Sequence, residues 1–517
     1  MHQAKRVAKN TGILYGRMLI TVFISLYTTR LVLNALGAAD YGLFNLVAGA
    51  ISMLGFLNNA MTTATQRFIS FAEGAGDTKR VQQIFNVSVI LHISIAIVVF
   101  LLLEIAGYFF FSGTLNIAND RLFAAKVVYQ CMVVSTLFTV ISVPYDAVIN
   151  AHENMLLVAV LGIIEAVLKL LIAISIINFT SDKLMLYGSL MAFTSILLLL
   201  IRRIYCKKNY KECKIDIKKL YDKLLMKSMA SFAGWSLLVS VTTIFTFYGQ
   251  GILLNVFFGT LINAAQSIAA QISGQLGVLS TNMLKALNPI ITKSAGANDR
   301  DTMIEMAIFG SKISFYLLSL VCIPVIIEMP FILSIWLKKV PEYTVVFCTL
   351  VLVKNLIEQI FLTLNTSISA IGNIRSYQIS ASILTILPLP ISYWLFKCGL
   401  PPTSLYGVYI VYVLFFAIVT LFFSKKNFNL NIRYFLQSAV LYPLSIFIIE
   451  LLLSSIPLFF FPAGITRLSF VVTINLLAFI VLVWHIGLNK NERLKIVNIF
   501  KNKFVKVRFI GKYFSVD

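Results

Sequence analysis

Four basic side chains, Arg17, Arg30, Lys285 and Lys312, sit inside long apolar stretches of a 517-residue chain. A charge at such a position costs at least about 2.5–3.5 kcal/mol on insertion scales and marks a functional site by default. Cationic groups in a wet cavity bind phosphate oxygens, so this set suits an anionic head group. Arg17 falls in the inner half of the first apolar stretch and Arg30 in its outer part. Thirteen residues of helix leave about 220° of rotation beyond whole turns, so the two need not share a face. Lys285 ends a stripe with Gln271, Gln275 and Asn282, whose spacing puts them on one helical face. Lipid does not tolerate such a face, which must turn toward a neighbouring helix or a cavity. Asn58, Asn59 and Thr62 add polar groups to the second apolar stretch, and Lys312 adds one to the ninth. Two opposite-charge pairs, Glu165/Lys169 and Lys354/Glu358, stand at i,i+4, where mutual neutralisation along a helix is the simplest reading and ion coupling or gating the other. Glu104, toward the outer face, is a carboxylate without such a partner.

The elements that must position these groups follow from composition. Hydrophobic residues make up 59% of the chain and charged residues 12%, which excludes a water-soluble fold. Apolar windows predict an all-α polytopic membrane protein of about fourteen helices, at 11–36, 41–64, 84–110, 122–149, 156–178, 184–204, 229–257, 261–289, 306–330, 344–368, 377–397, 405–424, 437–456 and 466–487. The first is expected to be a spanning helix rather than a cleaved signal, because it lacks a small-residue cleavage site. Of 43 Lys and Arg, 30 fall in the segments on the N-terminal side and four on the other. That asymmetry predicts both termini in the cytoplasm. The basic runs 205–228 and 488–517 then face anionic membrane lipid; without a readout motif, nucleic acid is not an expected partner.

Several chemistries are missing from the pattern. There is no G-x-x-x-x-G-K-[ST] phosphate loop. His152-Glu153 is followed by Asn154, Met155 and Leu156, which breaks H-E-x-x-H, and no metal site is expected. The six cysteines lack paired metal or redox spacing and read as packing residues. The expected external loops are short, the longest at 331–343, so a transporter is expected and not an enzyme.

Sliding the chain by 222 residues pairs Gly37 with Gly259, Leu54 and Gly55 with Leu276 and Gly277, and Gly74, Ala75 and Asp77 with Gly296, Ala297 and Asp299. Eleven identities fall within positions 37–77. The shift maps the second apolar stretch onto the eighth, so each repeat holds six helices of the same orientation. Parallel repeats place a substrate cavity near the bilayer midplane. The expected organisation is an N-lobe at 1–204, a solvated basic linker at 205–228, a C-lobe at 229–424, a helix pair at 425–487 and a basic cytoplasmic tail at 488–517.

Arg30 followed by Leu36-Gly37-Ala38-Ala39-Asp40-Tyr41-Gly42-Leu43-Phe44 resembles the first-to-second helix signature of bacterial polysaccharide flippases. The run Val143-Pro144-Tyr145-Asp146-Ala147-Val148-Ile149-Asn150-Ala151-His152-Glu153-Asn154-Met155, continuing to Glu165-Ala166-Val167-Leu168-Lys169-Leu170, is similar to that family's fourth-to-fifth helix region. The resemblance implies the O-antigen and capsule branch of the multidrug/oligosaccharidyl-lipid/polysaccharide (MOP) exporter superfamily, with a MATE-like fold of two six-helix lobes. It implies a bacterial inner-membrane flippase that moves undecaprenyl-diphosphate-linked oligosaccharide to the periplasmic leaflet by alternating access. Polysaccharide polymerase and assembly proteins would be its partners, no cofactor is expected, and coupling to an H+ or Na+ gradient stays open. Only Arg30 among the cations lies in a matched motif. The alternatives are a MATE-type drug antiporter, which would be better served by unpaired acidic groups, and a lipid II flippase.

Overall fold

The computed structural model describes residues 2–52, 55–114, 119–337, 340–489 and 492–493. Among them the regular elements are all helical. The long helices are α1 (His2–Ser52), α2 (Gly55–Gly74), α3 (Thr78–Phe109), α4 (Leu122–Ala151), α5 (Met155–Ile177), α6 (Lys183–Asn209) and α7 (Lys223–Gly296). They continue as α8 (Arg300–Ile327), α9 (Thr344–Ile371), α10 (Arg375–Ile386), α11 (Pro388–Lys397), α12 (Ser404–Phe428), α13 (Tyr442–Ser454) and α14 (Ile465–Leu482). Twelve stretches of described helix are long and apolar enough to cross a membrane, where sequence predicts fourteen. Two causes account for the difference. The 74 residues of α7 cover two expected spans and count as one stretch, although the helix is broken at Gly259. The expected span 41–64 crosses residues 53 and 54, outside the described residues.

The helix ends follow capping chemistry. Asn154 accepts from Leu157 N–H at 3.2 Å to start α5, and Asp182 accepts from Met185 N–H at 3.0 Å to start α6. Pro144, Pro289 and Pro324 each lie inside a helix, where the ring removes one backbone donor. The expected external loop 331–343 is itself helical at its start, over Met329–Trp336.

Residues matched by the 222-residue shift adopt the same backbone. Gly37 breaks α1 at φ 79° and Gly259 breaks α7 at φ 80°, a left-handed conformation that glycine adopts without a Cβ penalty. Asp77 and Asp299 cap α3 and α8 alike, accepting from Arg80 N–H at 2.8 Å and Thr302 N–H at 3.0 Å.

The contacts divide the chain into two units. The N-terminal unit comprises Gly12–Val241 with Thr292–Asn298. In it α4 is central, packed by α2, α3, α5 and α6. Its core includes Val99, Leu103, Val128, Tyr129, Ile172 and Leu184, and the ring of Phe44 meets that of Tyr187 edge-on at 4.8 Å. Within this unit the end of α2 crosses residues 293–296. A Cβ on Gly74 would lie 2.0 Å from the Lys293 carbonyl oxygen, and one on Gly296 would lie 2.0 Å from the Phe71 carbonyl oxygen. The two contacts are reciprocal under the same shift, since Phe71 maps to Lys293 and Gly74 to Gly296.

The segment after α6, expected as a solvated linker at 205–228, is largely exposed but anchored at several points. The Asn86 side chain donates to the Lys214 carbonyl at 3.0 Å and accepts from Asp216 N–H at 2.8 Å. Arg80 pairs with Asp222 at 2.7 Å, and Cys206 and Cys213 are buried. A buried asparagine satisfied on both sides by loop backbone thus helps hold this basic segment against α3.

The C-terminal unit comprises Met1–Thr11, Thr242–Ile291 and Asp299–Asp517. Here α9 packs on α8 and α12, and the pair α13/α14 packs on α8. Arg467 of α14 forms a bidentate pair with buried Glu328 at 2.7 and 2.8 Å, and Asn475 donates to the Leu320 carbonyl at 2.9 Å. Glu450 on α13 is fully buried, and among the described residues neither carboxyl oxygen has a hydrogen-bond partner.

Candidate functional site

The N-terminal unit holds a cavity of about 470 Å³, within the usual range for small-molecule sites. One wall is a stripe on α1, where Arg17, Thr21, Ser25, Thr28 and Val32 recur at close to helical spacing. The second is Gly162, Glu165, Ala166 and Lys169 on α5, and Tyr187 and Met191 of α6 complete it with Tyr41 and Phe44. Lys169 Nζ donates to Glu165 Oε1 at 2.7 Å. Arg17 approaches closely because position 162 has no side chain: a Cβ there would lie 2.2 Å from Arg17 Nε. Glycine thus opens the seat for a guanidinium beside the acid–base pair. Two cations face one carboxylate, and the cavity retains a positive excess. Thr28 and Thr29 donate to the carbonyls of Ile24 and Ser25 at 2.7 and 2.9 Å, which leaves their oxygens as acceptors.

The C-terminal unit holds a second, smaller cavity of about 180 Å³. Tyr406, Tyr409 and Tyr412 face it from α12 at intervals of three, with Gln250, Gln266 and Ser273 from α7. Lys354 and Glu358 of α9 pair across it at 2.6 Å, so its lining charges cancel. Tyr406 hydrogen-bonds the Gln266 carbonyl oxygen, and the Gln266 amide donates to Gln250 Oε1 at 3.0 Å.

The structure brings Arg17 together with the Glu165/Lys169 pair, which sequence treats separately from it. It does not bring Arg30 there: that side chain is exposed and lies outside the lining of this cavity. Lys312 departs most from expectation. Its side chain is 3% exposed and its ammonium is held by Glu492 at 2.8 and 3.1 Å, so it is a buried ion pair and not a cavity cation. The partner lies beyond the last helix, where a basic tail is expected and an acidic residue is easily overlooked. Gln271 and Gln275 are exposed, Asn282 is buried and Lys285 is half-buried with an interaction partner. None of them lines either cavity; the face of α7 that does carries Gln266, Ala270 and Ser273. Five residues of helix separate Gln266 from Gln271, about 140° of rotation, so the polar stripe chosen from sequence is the wrong one for this cavity. Thr62 has an interaction partner, whereas the side chains of Asn58 and Asn59 lie outside those described. Glu104 is not alone, accepting from Gln130 at 3.2 Å.

Sequence reasoning misses Gly162 and the α12 tyrosines, although the spacing of three in the latter is visible as an aromatic stripe. It also misses a polar cluster around the broken His-Glu motif. His152 pairs with Glu212 and approaches Glu73 at 3.3 Å, Tyr210 stacks on its ring at 4.3 Å, and Lys293 bridges Glu73 and Glu153 at 3.0 and 3.2 Å. Burial is the largest single influence and works to raise the Glu212 carboxyl, but the hydrogen bond and charge of His152 together with a backbone N–H outweigh it and hold that group below the ordinary carboxylate range. No group of three metal-ligating side chains occurs among the described residues.

Comparison with known proteins places this architecture. The MatE family model matches residues 15–174. No curated protein matches the chain by sequence. Solved structures align over most of both chains: an outward-facing multidrug resistance MATE family transporter of the MOP superfamily does so at TM-score 0.66 and 13% identity, over 82% of this chain and 96% of that one. A MATE in the bent conformation aligns at TM-score 0.67 and 14% identity over 84% and 96%. A MOP superfamily transporter from Pyrococcus furiosus, described by the reverse polarity of its binding pocket, aligns at TM-score 0.66 and 13% identity over 81% and 95%. At this identity the likeness is one of fold, and the chain has a MATE-like fold of membrane-spanning helices.

Proposed function

We propose that this chain is a membrane transporter whose substrate is an anionic, lipid-linked glycan, carried from the cytoplasmic to the outer leaflet by alternating access. The observation that carries the reading is the cavity of the N-terminal unit, where Arg17 rests on Gly162 beside the Lys169/Glu165 pair and leaves a net positive charge. A diphosphate offers oxygens to a guanidinium in bidentate geometry and to an ammonium as a point charge. The resemblance of the Arg30–Phe44 and Val143–Leu170 segments to polysaccharide flippases supports the glycan. The split of basic residues supports cytoplasmic termini in a bacterial inner membrane.

A second reading is export of small cationic drugs. The MatE match and the multidrug neighbours support it at least as well as they support the first. That reading needs a free carboxylate, and Glu165 is occupied by Lys169. Reconstitution into liposomes with a defined polyprenyl-diphosphate oligosaccharide, scoring head-group exposure across the bilayer, separates the two. Translocation that fails in Arg17→Gln at retained expression upholds the flippase. Export of cationic dyes without glycan translocation, lost in Glu165→Gln, upholds the antiporter. Repeating the assay with H+ or Na+ gradients collapsed tests coupling.

A further inference from the structure

The cavity of the C-terminal unit carries a chemistry unlike that of an anion site. Among the described residues its charged lining groups are Lys354 and Glu358, which neutralise one another at 2.6 Å. What is left is neutral and dense in hydrogen-bonding groups: two glutamine amides, three phenols and the hydroxyls of Thr243, Thr246 and Ser273. The amides are oriented, not free to spin. Tyr406 occupies the Gln266 carbonyl and Gln266 occupies that of Gln250, so Gln250 turns its N–H donors the other way, toward the Tyr409 hydroxyl at the cavity wall. Tyr406 and Gln266 are buried, and Thr246 is fixed by donating to the Thr385 carbonyl at 3.0 Å. The Tyr412 hydroxyl lies 3.2 Å from that of Thr385. Held in this way, the walls offer fixed amides and hydroxyls together with aromatic rings.

Ring hydroxyls require donors and acceptors at fixed places, and the apolar C–H face of a sugar ring packs against aromatic carbon. We infer that this cavity is a saccharide subsite, taking one neutral pyranose against Tyr409 and Tyr412 with its hydroxyls met by Gln250 and the threonines. Its volume of about 180 Å³ is that of a single ring, not of a chain. The inference rests on the reading of the chain as a mover of lipid-linked glycans, and assigns the sugar to a different set of residues from the phosphate.

The test is equilibrium binding of methyl glycosides to the purified full-length protein in detergent, with neutral hexosides, N-acetylhexosaminides and hexuronosides compared and inorganic diphosphate as competitor. Neutral glycosides are expected to bind, uronosides to bind more weakly, and diphosphate not to displace them. Gln250→Leu is expected to weaken binding about tenfold, equal to ~1.4 kcal/mol, with Gln250→Asn recovering part of it. Absence of binding by every glycoside to a monodisperse, thermally stable sample overturns the subsite. Displacement of bound glycoside by diphosphate overturns it too, as does binding of a cationic dye in place of sugar that strengthens in Lys354→Gln. Failure of glycan translocation with glycoside binding intact counts against the transport reading alone.

Discussion

The two cavities use the same device to different ends. Each carries an acid–base pair one helical turn apart, Glu165/Lys169 on α5 and Lys354/Glu358 on α9. In the N-terminal unit a third charged group, Arg17, joins the pair because Gly162 leaves room for it; in the C-terminal unit tyrosines and glutamines take that place. A neutralised pair sets a polar floor, and the residue added to it decides what the cavity can hold. The lesson is that counting intramembrane charges does not by itself assign a site; what matters is which charge is left over once pairs are formed.

The comparison breaks most directly at Arg17. Arg17→Gln is expected to lower glycan translocation in liposomes at least tenfold, whereas Lys354→Gln lowers it less than threefold, a gap of at least ~0.7 kcal/mol in the two effects. Equal losses would erase the distinction between the cavities. Gly162→Ala keeps the charge and moves it, since the new methyl meets the guanidinium; a several-fold loss with unchanged thermal stability is expected, smaller than that of Arg17→Gln. The reciprocal crossing sharpens the contrast by showing where the repeats remain alike. Gly74→Ala and Gly296→Ala each drive a methyl into a carbonyl, and each is expected to cost about 1–3 kcal/mol, read as matched falls in melting temperature. The smallest effect concerns Glu212, which belongs to the N-terminal unit. Its lowered carboxyl stabilises the fold above the ordinary carboxylate value, and that contribution is lost as pH falls through the folded value. Glu212→Gln should therefore be less stable than the parent at neutral pH, with the gap in melting temperature closing in acid.

Much of the fold is legible in the residues. Apolar length places the helices, and the 222-residue shift anticipates matched backbone at Gly37/Gly259 and Asp77/Asp299. The site is less legible, for physical reasons. Lys312 reads as a cavity cation because its neutralising partner, Glu492, lies 180 residues away, beyond reach of any periodicity. The Gln271–Lys285 stripe is a true helical face, but periodicity says only that a face exists and not which neighbour it meets. Gly162 is silent in sequence because its function is to lack a side chain.

The crossing of Gly74 with Gly296 has a consequence for origin. Each glycine of the pair meets the backbone three residues before the other, which is the self-complementary, isologous contact that two identical subunits make about a twofold axis. Were the halves copies of one half-length ancestor, that ancestor would have made the same crossing with a second copy of itself, and fusion would leave the matched positions 71 and 293 free to differ: Lys293 pairs with Glu73 and Glu153, an asymmetry open only to a fused chain.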